Sequence, residues 1–241
     1  DEWSSLMFKH YKKLNVDLEQ KNEKGLSLLM QSIKKEHVRS VNAILTNKRE
    51  EGKDIDLTDR KNVLFYTCRE GNIEWVSILI KDMHQRQLTP KEQSDYFHGC
   101  LQIAFRKGHY EILKLLLKQK GKFVLDRDSY GKNVLFYACQ EGNIEWVSIL
   151  IKDMHERELT HEERSSYLSG SLQPAIKNGH YEILKLLLKQ KGNFILARDS
   201  EDKTVMFYAC QEGNIECVSI LMKDMQQRDL TLKEQFSYLT P

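Results

Sequence analysis

The apolar residues of this chain fall in short helical runs that recur along its length. In GNIEWVSILIK, from Gly142 to Lys152, the polar residues Glu145, Ser148 and Lys152 stand at i, i+3 and i+7, and nearly every other position is apolar. GHYEILKLLLK, from Gly179 to Lys189, has the same arrangement with Glu182, Lys185 and Lys189. A helix with one narrow polar stripe is buried on most sides, as in a stack with a neighbour before and behind. A shorter apolar run precedes each of these helices, and Gly142 or Gly179 stands at the reversal between the two. Glycine reaches the positive φ that a tight helix-to-helix reversal requires. The pattern predicts an all-α chain built of helix pairs.

The pairs are arranged in a longer repeat. KNVLFYTCREGNIEWVSIL begins at Lys61, KNVLFYACQEGNIEWVSIL at Lys132 and KTVMFYACQEGNIECVSIL at Lys203, each 71 residues after the one before. Each 71-residue copy divides into two related halves of unequal length, roughly 33 and 38 residues. The extra residues fall in KDMHERELTHEERSSYLSG (152–170) and its counterparts. Every counterpart carries T-x-x-E: Thr89 with Glu92, Thr160 with Glu163, and Thr231 with Glu234. That spacing predicts a capping box, in which hydroxyl and carboxylate each satisfy a free backbone donor at a helix start. Pro90 at the first helical position suits one copy further. Alternate repeats are therefore expected to begin with a first helix extended at its N-terminus.

The stretch DSYGKNVLFYACQEGNIEWVSILI (128–151) resembles the ankyrin-repeat pattern D-x-x-G-x-T-P-L-H-x-A-x-x-x-G-H-x-E-I-V-x-x-L-L. Asn133 holds the cap position that Thr usually takes, and Val134 and Phe136 replace the usual Pro and His. QPAIKNGHYEILKLLLKQKG is more similar still, and KGLSLLMQSIKKEHVRSVNAIL (24–45) fits more loosely. The resemblance covers essentially the whole chain and implies a solenoid of stacked helix-turn-helix units. The implied array has a partial repeat at 1–21, then repeats at 22–56, 57–94, 95–127, 128–165 and 166–198. A repeat with a partial C-terminal one follows at 199–241. The final FSYLTP corresponds to SSYLSG at 165–170, which reads as a piece of a longer array.

Charge narrows the function classes. A formal net charge of +2 over 241 residues argues against binding nucleic acid through bulk charge. No apolar run approaches a membrane span. Cys68, Cys139 and Cys210 share one repeat position, which makes them poor disulfide partners and predicts small core side chains in a reducing, cytoplasmic compartment.

Catalytic chemistry has no candidate. A Gly-rich phosphate loop, HExxH and CxxC are all missing. His161-Glu162-Glu163 lacks the second histidine of a zinc motif, and Pro90 and Leu232 replace His161 in the other copies. His109 and His180 read as braces of the turn. The pairs Phe65-Tyr66, Phe136-Tyr137 and Phe207-Tyr208 read as core between repeats, with the hydroxyl reaching an edge. The chain is expected to be no enzyme and to need no cofactor or metal.

The resemblance implies binding of a protein partner through fingertips and the inner helix face, which together form a concave surface. Carried onto this sequence, the fingertip positions are Ser129, Tyr130 and Lys132, then Ser200, Glu201 and Lys203. The inner-helix positions before the turn glycine are Arg69 and Glu70, Arg106 and Lys107, Gln140 and Glu141, Lys177 and Asn178, with Gln211 and Glu212. Tyr130 is the best single anchor. The extended segments bring Glu92, Asp95, His98, Glu163 and Arg164 into or clear of that groove. Lys114, Lys118, Lys185 and Lys189 lie in the outer stripe, which reads as a solvated face. Three functions fit: a protein-interaction scaffold, a targeting array for a catalytic domain outside this sequence, and, third, a nucleic-acid-binding solenoid. Richness in Lys, Asn and Ile resembles ankyrin proteins of intracellular bacteria, which implies an effector acting on host protein in a host cytosol.

Overall fold

The computed structural model describes residues 57–239 apart from Arg86, Gln87, Lys191, Asn193, Ser200 and Asp229, together with Glu23, Gln31 and Ser32. The repeats expected at 1–21 and 22–56 lie, but for those three residues, outside what is described. Every regular element among the described residues is helical. The helices from Leu57 onward are α1 (Leu57–Glu70), α2 (Ile73–His84), α3 (Pro90–Phe97), α4 (Cys100–Arg106), α5 (Tyr110–Leu117), α6 (Val134–Gln140), α7 (Ile144–Glu156), α8 (His161–Lys177), α9 (Tyr181–Leu188), α10 (Val205–Gln211), α11 (Ile215–Gln227) and α12 (Leu232–Leu239). Single 3-10 turns cover Phe123–Leu125 and Phe194–Leu196. The chain divides into two compact units, residues 1–116 and 117–241.

In the second unit α8 packs between α6 and α10, and α9 packs between α7 and α11. One row of helices therefore runs α6, α8, α10, α12 and the other α7, α9, α11. Val134, Leu135, Val147, Leu150, Leu172, Leu184 and Leu187 between the rows are fully buried. Glu145, Ser148, Lys152, Glu182, Lys185 and Lys189 are all exposed, so both polar stripes face water as the spacing predicts. Trp146, beside its stripe, is buried, as are Trp75 and Cys217 at the same repeat position. In the first unit α1 packs on α2, α3 and α4 around Val63, Leu64, Cys68 and Val76.

Helix starts follow the side chains that cap them. Asn133 Oδ1 accepts from Phe136 N at 2.9 Å, while its Nδ2 donates to Tyr167 O at 2.9 Å, so the cap also ties α6 to α8. Asn72, Asn143 and Asn214 cap α2, α7 and α11, each accepting at 3.1 Å from the backbone N–H three residues on. All three T-x-x-E motifs form reciprocal capping boxes, with the glutamate accepting from the threonine N–H at 2.8 Å. A cap of this kind contributes about 1 kcal/mol.

The lengthened first helix is continuous in the middle copy, where α8 runs 17 residues. In the first copy it breaks into α3 and α4 at Gly99, whose φ is +73°. Gly170, the counterpart of Gly99, stays helical where Arg127 donates to Ser166 O at 2.8 Å and holds the preceding turn of α8. Position 56 in the first copy is Asp, so that copy has no such arginine.

The expectation that Cys68, Cys139 and Cys210 are all core side chains needs correction. Cys68 and Cys139 are buried but Cys210 is exposed. α6 carries Cys139 against the 17-residue α8, whereas α10 carries Cys210 against α12, which has 8 residues. Among the described residues nothing covers the third thiol.

Candidate functional site

The surface expected to bind is built in the second unit on two turns, residues 127–132 and 198–203, and on the ends of the helices beside them. In the first turn Asp128 Oδ1 accepts from Tyr130 N at 2.9 Å and Lys132 N at 3.0 Å, and Asp128 Oδ2 accepts from the Tyr137 hydroxyl of α6. Arg127 closes the turn by donating to Gly131 O at 2.9 Å and anchors it to α8 through Ser166 O. The second turn repeats these bonds. Asp199 Oδ1 accepts from Glu201 N and Lys203 N, and its Oδ2 from the Tyr208 hydroxyl. Arg198 donates to Asp202 O at 2.6 Å and to Ser237 O of α12 at 3.1 Å. Burial pushes the Asp199 carboxyl up, but the bonds from Tyr208 and the two backbone N–H groups outweigh it and hold it below the usual range. Burial, then Asp199, pushes the Tyr208 hydroxyl up to about 12, so it stays protonated as the donor.

On these matched scaffolds the tips differ. Tyr130 projects from the first with 72% of its surface exposed. Lys132 lies half-buried with Nζ 4.4 Å from the centre of the Phe136 ring, and has no carboxylate partner among the described residues. In the second turn Glu201 engages Lys203 at 2.5 Å, and the lysine lies 5.1 Å from the Phe207 ring centre. Asp202 takes the left-handed φ of 62° where the first turn has Gly131 at 70°. Aspartate tolerates that region better than most side chains.

The expected helix-end residues are all exposed: Arg69, Glu70, Arg106, Lys107, Gln140, Glu141, Lys177, Asn178, Gln211 and Glu212. Their surroundings are not equivalent. Arg69 pairs with Glu70 at 2.9 Å and lies 4.9 Å from the Tyr66 ring centre. Lys177 lies 4.7 Å from the Tyr208 ring centre, which links the end of α8 to α10. The Asn178 amide is taken by Pro174 O at 2.8 Å. Glu141 has its carboxyl raised by partial burial. Ser129 is exposed beside Tyr130, and Ser200 lies outside the described residues.

Two features escaped the sequence reading. His109 and His180 brace the turn of the preceding repeat rather than their own: His109 Nε2 donates to Arg69 O at 3.1 Å and His180 Nε2 to Gln140 O at 3.2 Å. Arg157 and Arg228, at one repeat position, fasten the loop before them. Arg157 binds Asp153 at 2.6 Å and donates to the carbonyls of Leu117, Gln119 and Gly121 at 3.0, 3.0 and 2.7 Å. Arg228 binds Asp224 and donates to Leu188 O and Gly192 O. Their 71-residue spacing was the signal available. Of the extended segments, Glu92, Glu163 and Glu234 serve the capping boxes, and Glu163 also accepts from Lys122 at 2.6 Å. Asp95 and His98 are exposed and Arg164 is half-buried.

Among the described residues no group of three or more His, Cys, Asp or Glu is placed to hold a metal ion. Burial pushes the thiol of Cys139 far up, which suits a packing side chain and not a nucleophile.

Comparison with known proteins bears on the whole surface. A family model described as ankyrin repeats in three copies matches residues 29–117, 86–162 and 170–233. The chain is 33% identical over 127 residues to the probable E3 ubiquitin-protein ligase XBOS33 of Oryza sativa subsp. japonica, covering 51% of this chain and 23% of that protein. It is 26% identical over 171 residues to the ankyrin repeat protein nuc-2 of Neurospora crassa, covering 70% of this chain and 15% of that protein. It is 25% identical over 140 residues to transient receptor potential cation channel subfamily A member 1 of Homo sapiens, covering 58% of this chain and 12% of that protein. The chain thus spans less than a quarter of the length of each of these three.

Proposed function

The chain belongs to the ankyrin-repeat family, which in general mediates protein–protein interaction without catalysis, and we propose that it is an interaction scaffold that holds a protein partner on the turns and helix ends described above. The observation that carries this reading is the projection of Tyr130 from a turn that Asp128, Arg127 and Tyr137 hold rigid. An exposed aromatic on a preorganised turn loses little entropy on binding and makes a strong anchor. The outer stripe is the weaker candidate, because Lys114 and Lys185 are already paired with Glu111 and Glu182 at 2.8 Å. That pairing also disfavours the nucleic-acid-binding reading.

A second reading, a targeting array for a catalytic domain elsewhere in a longer protein, draws support from the named ligase and channel, of which this chain covers 23% and 12%. The effector assignment gains no support from relatives in a plant, a mould and human. A cytoplasmic setting suits the buried free thiols. No helix among the described residues is long and apolar enough to cross a membrane.

Affinity capture from cell extract with mass spectrometry tests the scaffold, run beside a variant carrying Tyr130→Ala, Arg69→Glu and Arg106→Glu. A protein kept by the parent and lost by the variant is the expected result. One held equally by both would move the site away from these turns and helix ends.

A further inference from the structure

The two turns share one scaffold and carry opposite charge. Residues 127–132 hold two cations, Arg127 and Lys132, against one carboxylate, Asp128. Residues 198–203 hold two cations, Arg198 and Lys203, against three carboxylates, Asp199, Glu201 and Asp202. The backbone bonds match one for one, so the difference is confined to what the tips present. At the first tip Tyr130 is exposed, and the Lys132 ammonium lies over the Phe136 ring with no carboxylate partner among the described residues. At the second, Glu201 pairs with Lys203, Asp202 lies 3.5 Å from Arg198 and Asp199 is taken up inside the turn, so the turn as a whole carries one net negative charge where the first carries one net positive.

We propose that the two turns are the ends of one docking site for an extended protein segment of fixed direction. The segment carries carboxylates where it meets the net-positive first turn, with Tyr130 as its anchor, and basic residues where it meets the net-negative second turn. The inference rests on the reading of the turns as a partner-binding surface and adds the chemistry and orientation of that partner. α6 and α10, which follow the two turns, both pack on α8. Packed helices lie about 8–10 Å apart, so the turns stand about 20 Å from each other. An extended chain at roughly 3.3 Å per residue covers that gap with about six residues. Opposed charges at the two ends reward one direction of docking and penalise the reverse, since like charges brought together are costly. A polyanion is repelled by the second turn, which separates this site from one for nucleic acid.

The test is selection of displayed random dodecapeptides on the immobilised 241-residue chain. It is repeated on the exchanged variant Tyr130→Glu/Gly131→Asp/Glu201→Tyr/Asp202→Gly and on the half-exchanged variant Glu201→Tyr/Asp202→Gly. The half-exchanged variant makes the tips alike and relieves the left-handed Asp202, so it folds even if the full exchange does not. The parent is expected to select peptides with Asp or Glu about six residues from Lys or Arg, in one dominant order. The exchanged variant is expected to select the opposite order, and the half-exchanged variant to lose the basic end. A parent consensus peptide should bind the exchanged variant at least tenfold more weakly. Peptides with no charge order, or the same order on parent and variants, overturn the directional site. If such peptides are still lost on Tyr130→Ala, the surface reading survives. Peptides insensitive to every variant, or no peptides at all, overturn both.

Discussion

The imidazole of His180 rests on Gly142, so that a methyl group at Gly142 would come within 2.7 Å of the ring. Gly142 also has φ +71°, and Gly213, its counterpart in the next copy, has φ +62° with nothing within 4 Å of its missing methyl. The pair separates two effects of one substitution. Gly213→Ala meets only the backbone penalty, about 1–2 kcal/mol. Gly142→Ala meets the same penalty and in addition displaces a histidine bonded to Gln140 O, about 1–3 kcal/mol more. Urea denaturation of the two variants measures the difference. Equal losses would mean that the ring moves aside without penalty.

Arg157 is nearly buried, with 10% of its side chain exposed, and Asp153 with 15%. Removing the guanidinium leaves a carboxylate and three carbonyls without their donor. Arg157→Leu is therefore expected to lose about 3–5 kcal/mol. Arg157→Lys should recover little, since one ammonium does not reproduce the planar fork that reaches Leu117, Gln119 and Gly121 together. Chemical denaturation followed by far-UV circular dichroism decides it, and a lysine variant as stable as the parent would contradict the clamp.

Ser171 is fully buried and its Oγ has no hydrogen-bond partner, while the equivalent position in the preceding copy is the buried Cys100. Ser171→Cys removes an unsatisfied hydroxyl without adding appreciable bulk. A gain of up to about 1 kcal/mol is expected from the desolvation that the thiol avoids. A lower melting temperature would show that the hydroxyl has a partner.

The ammonium of Lys122, followed by the Thr160 N–H, holds the carboxyl of Glu163 below its usual 4.5. Bonds from Thr89 and Thr231 do the same for Glu92 and Glu234. A lowered folded-state pKa contributes stability that is present above 4.5 and lost as pH falls through the folded values. Thermal unfolding between about pH 6 and 3 should therefore show a falling melting temperature. Glu163→Gln should decline less steeply, and parallel profiles would remove this carboxylate from the acid response.

What the sequence disclosed was whatever short spacing controls. The polar stripes, the Asn133 cap and the T-x-x-E boxes act within one or two helical turns, and residues such as Glu145, Asn133 and Thr160 behave as their spacing predicts. The targets of Arg157 and His180 lie 36 to 40 residues away, where only the packing of one repeat on another brings them together. Cys210 shows the same limit from the other side: its residue type and repeat position match Cys139, yet one thiol is exposed and the other buried. For the site, exposure at the helix ends was legible. The capture of Lys203 by Glu201 and the isolation of Lys132 were not, because both depend on how each turn folds.

The period of 71 residues acquires a thermodynamic meaning through Arg157 and Arg228. Each reaches from the linker after one helix pair to the carbonyls that end the pair before it, and such arginines occur once per 71 residues, not once per helix pair. In a linear array, stability is a sum of unit terms and nearest-neighbour terms. Here the neighbour terms alternate in kind, with an arginine clamp at one junction and a histidine brace such as that of His180 on Gln140 at the next. The natural step for lengthening or shortening the array is thus the whole double repeat, because excising a single helix pair would leave an arginine facing a loop that no longer presents its carbonyls.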